Sequence, residues 1–363
     1  MSKAAELAAL IGSQTALSNR NMIINGAMQV AQRGTSATVG PNGTGEGYTV
    51  VDRFRNSLSG SVVSTFSQST DAPSGFANSA KIEITTAQTS LGGTEFWHLR
   101  YGFEGQDLQS IAKGTSDAKS ITFSFYVKSN KTGVYTVELQ DTDNSRRNSL
   151  AYTINNANTW ERKSLTFNPD TTGAFTNDNN LSLRINFVLV AGADLKSGTF
   201  YNGTWGADVN ANRVASSQVN FGDAVGNEWY ITGVQLEVGE QATPFEHRSF
   251  ADELERCQRY YQVPTNNAMY AGTTNGSSQI ANIGVPLITT LRADPTASTL
   301  AATPTAWHGN SSGVSGSTNA PTLALSTQTH STTVKMSISG FSGLTDNRAA
   351  TITVNGLVLD SEL

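Results

Sequence analysis

The sequence predicts an all-β chain: a jelly-roll β-sandwich, then a short helix, then a second, smaller antiparallel β domain. Three observations carry that expectation. Short apolar segments alternate with polar residues at the two-residue period of a strand with one face in a core. Clusters of Gly, Asn, Asp and Ser punctuate those segments at short intervals. No long helical period separates the strands, as a doubly wound α/β fold requires. Composition agrees, because charged residues make up only 15% of the 363, against about 25% in an ordinary globular chain. Ser, Thr, Asn, Gln and Gly stand in their place. Apolar residues, at 37%, recur in short clusters throughout, so a core can form.

Residues 3–17 are rich in Ala, Leu and Glu, with Leu7, Leu10 and Ile11 on one side of a short helix. A helix below about 12–15 residues seldom holds alone in water, so residues 1–20 are expected to be an oligomerisation or attachment segment. NMIINGAMQVAQRG (21–34) is an extended segment with a turn at Asn25-Gly26. A Gly/Thr/Asn-rich loop follows, PNGTGEGYTVVDRF (41–54).

Strands are expected at 61–67, 80–86, 95–103, 119–128, 133–140, 160–167, 181–190 and 228–238, closing a sandwich over residues 21–248. In 119–128, Ile121, Phe123, Phe125 and Val127 point one way and Thr122, Ser124 and Tyr126 the other.

SFADELERCQRYY (249–261) is the best helix, joining the two domains. Ser249 caps it, Asp252 takes the third helical position, and Phe250, Leu254, Cys257 and Tyr261 share one stripe. Cys257 is then a small apolar residue packed under that stripe, with a structural role. Residues 262–363 hold three Lys/Arg and four Asp/Glu, yet 31 of the 102 are Ser or Thr. Alternating pieces at 332–339 and 350–359 predict the second β domain, whose neutral strands suit packing against identical chains or exposure on a surface.

A net charge of −5 with no basic stripe argues against a nucleic-acid partner. Cys257 is the single cysteine, so no intrachain disulfide is expected and synthesis in a cytoplasm fits. The first residues, MSKAAELAALIGSQ, lack the parts of a secretion signal. No run approaches the roughly eighteen apolar residues of a membrane helix, so no membrane insertion is expected.

Candidates for chemistry are few. The four histidines, 98, 247, 308 and 330, never fall at metal-ligand spacing. No nucleophile elbow, phosphate loop or dinucleotide fingerprint stands in a supporting context. Glu95, Glu104, Asp107, Glu138 and Asp141 are the carboxylates from which a hydrolytic pair would be drawn, but any β protein offers as many. Calcium could use the Asp/Asn loops 141–144 or 177–180; ordinary Asx-turns are the favoured reading, and no cofactor is expected. Carbohydrate recognition has better grounds, since sugar rings stack on exposed indoles. Trp205 in YNGTWGAD and Trp307 in AWHGNSSG are the candidate glycan contacts, whereas Trp160 and Trp229 open strands and suit a core.

Several segments together carry a family resemblance. They are 21–34 with YTVVDRF (48–54), FWHLRYGFEGQDLQ (96–109), KSITFSFYVKSNKTGVYTVELQ (119–140), NTWERKSLTF (158–167) and WYITGVQLEVGEQATPFEHRSFADELERCQRYYQ (229–262). Over about residues 19–262 the chain resembles phage and prophage tail-associated structural proteins of tail-fibre type, with a carbohydrate-binding-like jelly-roll module. The resemblance implies a non-enzymatic virion component, made in the host cytoplasm and carried on the phage tail. It implies a homotrimer, contacts with other tail proteins, and contact with host surface polysaccharide. It carries over no catalytic residue. The motifs around 46–54 and 245–250 are expected to tie the sandwich to its ends, Asp52 and Arg53 pairing with Arg248 and Glu246. A polysaccharide depolymerase and a purely architectural adaptor or capsid decoration stay open as alternatives, although the rung repeats of a β-helix depolymerase are not found.

Overall fold

The computed structural model describes residues 19–41, 43–264, 268–276, 278–299, 305–308, 323–330, 333–339, 344–354 and 357–363. The helix expected at 3–17 lies outside the described residues. Two compact units are present, Met1–Glu253 with Leu363, and Leu254–Glu362.

Two antiparallel sheets build the first unit. One has six strands in the order β1 (Ser36–Val39), β4 (Val63–Ser69), β5 (Ser79–Thr86), β13 (Glu228–Val238), β7 (Ile121–Ser129) and β10 (Glu161–Phe167), numbered along the chain. The other has seven: β12 (Gly206–Ala207), β9 (Arg146–Ile154), β8 (Gly133–Asp141), β11 (Leu181–Ala191), β6 (Phe96–Glu104), β3 (Phe54–Ser59) and β2 (Gly47–Tyr48). All eight strands expected between residues 61 and 238 form. Phe123, Phe125 and Val127 of β7 are fully buried, as the alternation requires. The Phe123 and Phe125 rings meet the opposite sheet at Phe187, 5.4 Å from each, and Trp229 of the neighbouring strand β13 lies 5.8 Å from the same ring.

Strand β9 was not expected. Its sequence, RRNSLAYTI, puts Asn148 where the core face asks for an apolar side chain. The buried amide is held there by donating from Nδ2 to the Gly203 carbonyl (2.8 Å).

The motif segments from the two ends of the sandwich sequence meet in one network. Asn21 Oδ1 accepts from the Leu236 amide (3.1 Å), and Asn21 Nδ2 donates to the Val234 carbonyl (3.2 Å). Arg20 donates from Nη2 to the Pro244 carbonyl (2.7 Å). Arg248 reaches the Ile23 carbonyl (3.0 Å), the Asn21 carbonyl, Glu253 (3.1 Å) and Glu246 (3.5 Å). Asn25, in a turn with φ +61°, joins the remaining pieces. Its Nδ2 donates to Val30 and Asp52 carbonyls (2.9 and 3.0 Å), and its own amide donates to Glu253 Oε2. Gly26 belongs to the same knot: a Cβ there would lie 2.1 Å from the Val234 carbonyl oxygen.

This geometry corrects the expected ion pairs. Asp52 accepts from the Gln32 amide and Nε2 and faces Arg33 at 3.6 Å, while Arg53 donates to the Gly102 carbonyl (2.9 Å) and lies 5.3 Å from the Tyr101 ring. Glu246 and Arg248 pair with each other. The two motifs are joined through Asn25, whose side-chain amide donates to the Asp52 carbonyl and whose backbone amide donates to the Glu253 carboxylate paired with Arg248.

The helix α1 (Phe250–Gln258) is capped as expected, the Asp252 amide donating to Ser249 Oγ at 3.1 Å. The stripe differs: Phe250 is 55% exposed and Glu253 is buried in its place. Arg248 and the Asn25 amide draw the Glu253 carboxylate inward and so fix which side of the first turn is covered. Cys257 and Tyr260 complete the buried side. The helix ends at Gln258, and Tyr261 already belongs to a strand.

In the second unit a three-stranded sheet runs β14 (Tyr261–Gln262), β22 (Leu357–Asp360), β17 (Thr296–Thr299). A six-stranded sheet runs β18 (Thr305–His308), β21 (Ala349–Val354), β15 (Ala268–Asn275), β16 (Gln279–Pro286), β20 (Thr333–Ser339), β19 (Leu323–His330). Ile280, Ile283, Val285, Ile338, Ile352 and Leu359 lie in its core. The run expected at 350–359 is two strands in different sheets. Among the described residues, no helix is long and apolar enough to cross a membrane.

Candidate functional site: the outer face of the seven-stranded sheet

Strand alternation that buries Leu183, Ile185 and Phe187 must turn Arg184, Asn186 and Val188 to the other side of the sheet. The same holds for β6, where Leu99 and Tyr101 face the core and His98 and Arg100 face away. Cross-strand partners share a face, so the register assembles rows. One row reads Tyr48, Arg55, Arg100, Asn186, Glu138, Ser149 from β2 to β9. The row beside it reads Gly102, Arg184, Gln140, Arg147, Gly206. On the other side run Ser57, His98, Val188, Thr136 and Ala151. At about 4.8 Å between strands, the row from β3 to β9 is about 19 Å long.

Such a face should be either apolar and covered or charged and solvated. This one is polar and largely buried. Glu138 is 0% exposed and takes the centre of the charge. Arg213 donates to it from Nε (2.7 Å) and Nη2 (3.0 Å), Asn186 from Nδ2 (2.7 Å), and Arg147 Nη1 lies 2.8 Å away as an ion pair. Burial by itself raises the Glu138 carboxyl, but the Arg213 and Arg147 charges outweigh it and hold it below the usual carboxylate range. Arg147 also pairs with Asp208.

Three further guanidiniums, on Arg55, Arg100 and Arg184, have no such partner. They are half-buried, and no carboxylate among the described residues forms an ion pair with them. Burial, followed by the Arg184 and Arg55 charges, brings Arg100 down to about 10. Burial and Arg55 lower Arg184 in the same way. Arg100 has an Nη2 contact with His98 Nδ1 (3.2 Å), and its guanidinium lies 5.5 Å from the Phe96 ring, which stacks on His98 at 4.7 Å. Burial, then the Arg100, Arg213 and Arg147 charges, push His98 well below its ordinary value, so it is neutral. A guanidinium only donates, so Nδ1 accepts and the proton sits on Nε2. That donor, together with Arg55 Nε, Arg100 Nε, Asn186 Oδ1 and Ser149 Oγ, is buried without a hydrogen-bond partner. Buried polar atoms are rarely left so.

The rims are also defined. Tyr201 lies over Gly206 at the β12 end, where a Cβ would meet its ring at 2.8 Å. At the β2 end the Tyr48 hydroxyl donates to the Leu363 carbonyl (2.8 Å), and exposed Glu46 accepts from Ser57 Oγ (3.1 Å).

Of the residues singled out from sequence, Glu138 and His98 lie on this face, whereas the tryptophans, the motif residues and Cys257 fall elsewhere. Trp205 precedes β12; its indole Nε1 donates to the Asn168 carbonyl (2.9 Å), and Lys113 Nζ lies 5.2 Å from its ring. Trp307 lies in β18, paired with Thr351. Asp52, Arg53, Glu246 and Arg248 sit in the knot described above, and Cys257 is 1% exposed on α1. The candidate carboxylates do not gather: Glu95 accepts from the Gly92 amide and Gln88, Glu104 from Gln106, and Asp141 faces Lys113.

At the 141–144 loop the ammonium of Lys113 occupies the position open to a cation. It lies 2.6 Å from Asp141, 3.1 Å from Asp170 and 2.8 and 2.7 Å from the Thr172 and Gly173 carbonyls. Asp178, in the 177–180 loop, accepts from the Asn180 amide and Nδ2, an Asx-turn. Among the described residues, no group of three or more His, Cys, Asp or Glu is placed to hold a metal ion.

The arginine trio escaped the sequence reading, because its members are 45 and 84 residues apart. The signal was present one strand at a time: a lone arginine at an outward position inside an apolar strand, as in HLRYGF and LSLRINF.

No family model matches the sequence, nor does any curated protein. Among solved structures, the chain is similar to the enzymatically active domain of tailspike protein 4 of bacteriophage CBA120, with 13% identity and a TM-score of 0.32, over 60% of this chain and 21% of that one. It thus spans about a fifth of that domain's length. It is also similar to a xylan-binding domain of carbohydrate-binding family 22, with 10% identity and a TM-score of 0.31, over 62% of this chain and 100% of that one. A third is the family 11 carbohydrate-binding module of a Clostridium thermocellum cellulase, with 12% identity and a TM-score of 0.28, over 56% and 95%. Identities and scores this low leave the site to be judged on its own residues.

Proposed function

We propose that this chain is a non-enzymatic structural protein of a bacteriophage tail, of fibre or tail-associated type, whose jelly-roll body binds host-surface glycan on the outer face of the seven-stranded sheet. One observation carries the binding site: a polar row and its neighbour in which three half-buried arginines have no ion-pair partner among the described residues, fixed in position by strand register. Sugar hydroxyls need donors and acceptors in set directions, and guanidinium and amide planes anchored in a sheet supply them without further ordering. Glu138 argues against hydrolysis. A general acid needs a raised pKa, and this carboxylate is held low by two arginines.

The tail assignment rests on the motif resemblance. Residues of those motifs, Asn21, Asn25, Asp52, Glu246 and Arg248, knot the two ends of the sandwich together, which is a physical reason for them to occur as a set.

Glycan-array binding by the full chain tests the reading. Signal on bacterial surface glycans, lost in Arg100→Ala at unchanged melting temperature, is expected. A silent array would favour an adaptor; release of reducing ends from polysaccharide would favour a depolymerase. Loss of binding in Trp205→Ala or Trp307→Ala, with Arg100→Ala unaffected, would move the site. Antibody to the chain should decorate tails in negative-stain images of virions. A sedimenting species near the 38.5 kDa monomer mass at micromolar concentration would overturn the homotrimer.

A further inference from the structure

We infer that the glycan is acidic, one carboxylate, phosphate or sulfate on the sugar being held by Arg55, Arg100 and Arg184. This rests on the binding face proposed above and goes further by fixing the ligand's charge.

The argument begins with placement. Arg55 and Arg100 are direct partners on adjacent strands, and Arg184 is diagonal to Arg100, its own partner being Gly102. Direct partners have Cβ atoms about 5 Å apart and diagonal neighbours about 7–8 Å. That spacing puts the three guanidiniums within side-chain reach of one another on one face of the sheet. Like charges placed opposite one another in a sheet are destabilising, and these are also half-buried. The only carboxylate within the rows, Glu138, is already committed to Arg147 and Arg213. A neutral glycan would leave that repulsion in place, whereas an anion removes it.

The surroundings decide between an acidic sugar and a polyanion. Glu46 stands at one end of the rows and Asp208 at the other. A strand of nucleic acid carries a phosphate at every step and needs an unbroken basic track. Here one basic spot is bounded by carboxylates, with half-buried Gln140 beside it for a neutral hydroxyl.

The experiment is calorimetric titration of the full chain with matched pairs: sialyllactose and lactose, trigalacturonate and its methyl ester, phosphorylated and plain mannose, sulfated and plain galactose. At least one acidic member should bind about tenfold or more tightly than its neutral twin, the size of effect that charge-assisted hydrogen bonds give. The pair that does so tells carboxylate from phosphate from sulfate. The preference should shrink with added salt and vanish in Arg100→Gln and Arg184→Gln. Those variants should melt no lower than the parent, because they relieve repulsion, so lost binding would not report unfolding.

Equal affinity for both members of every pair would overturn the inference and leave the binding face standing. No binding of any sugar, by the titrations or by the array, would overturn both. Inorganic phosphate bound as tightly as the acidic sugars, or a single-stranded oligonucleotide bound more tightly, would also overturn it.

Discussion

Replacing Glu138 by glutamine removes the one negative charge buried among five arginines and leaves the shape almost unchanged. The carboxylate is 0% exposed and receives Arg213 at 2.7 and 3.0 Å, Asn186 at 2.7 Å and the Arg147 ion pair at 2.8 Å. Glutamine keeps one acceptor oxygen but turns an NH2 group toward a guanidinium, so donor faces donor. Removing one partner of a buried ion pair costs about 3–5 kcal/mol, because the remaining charge stays buried. For a unit of this size that lowers the melting temperature by about 6–20 °C. Calorimetry reads the shift directly, and the fluorescence of Trp97 and Trp229, both buried in the sandwich, assigns it to the first unit. The pH dependence adds a second readout. The folded Glu138 carboxyl is held below its ordinary value, so its stabilisation is complete above the unfolded pKa of about 4.3 and is lost as pH falls through the folded value. The parent should therefore lose stability on acidification more steeply than Glu138→Gln. A variant that melts within 2 °C of the parent, with the same acid slope, would refute the claim that Glu138 organises this face.

Four more outcomes are expected. Lys113→Ala leaves Asp141 and Asp170 facing each other in a buried site and should cost about 3–5 kcal/mol in urea unfolding. Gly26→Ala drives a methyl into the Val234 carbonyl and should destabilise the sandwich by about 1–3 kcal/mol, read by the same titration. Asp52→Ala removes the Gln32 bonds and the Arg33 pair and should lower the melting temperature by an amount equal to about 1–3 kcal/mol, while glycan binding is unchanged. Ser249→Ala deletes the cap of α1 and should cost about 1 kcal/mol by chemical denaturation.

Strand positions in the sandwich were legible because alternation acts within one strand. The pattern Ile121, Phe123, Phe125, Val127 needs no knowledge of the partner strands to declare its buried side. Asn148 broke that pattern in β9 and hid the strand, since a buried amide satisfied by Gly203 looks, in sequence, like a turn residue. The helix cap at Ser249 was legible for the same local reason. The stripe was not, because the burial of Glu253 is decided by Arg248 and the Asn25 amide, the latter more than two hundred residues away in sequence. The arginine face is the extreme case. Net charge and basic runs are properties of the linear chain, and both argued against a basic patch. The order β9-β8-β11-β6-β3 gathers residues 147, 138, 184, 100 and 55 by register alone.

Arginines in the same unit show why this gathering is better read as function than as architecture. Arg146, Arg213 and Arg248, which serve the fold, are each paired with a carboxylate. Arg146 makes two bonds to Asp170, at 2.7 and 3.0 Å, and Arg213 makes two to Glu138. Arg248 ties two carbonyls and two carboxylates at the knot. Arg55, Arg100 and Arg184 have no carboxylate partner among the described residues, although strand register places them at neighbouring positions of one face. A fold selected for stability alone would replace at least one of them with a neutral side chain, since the trio repels itself and stabilises no neighbouring element. Their placement together on one face is explained if the missing counter-charge comes from outside. Substituting any one of the three by glutamine should then raise the melting temperature of the free protein and weaken its hold on an acidic sugar, a trade that a structural arginine would not make.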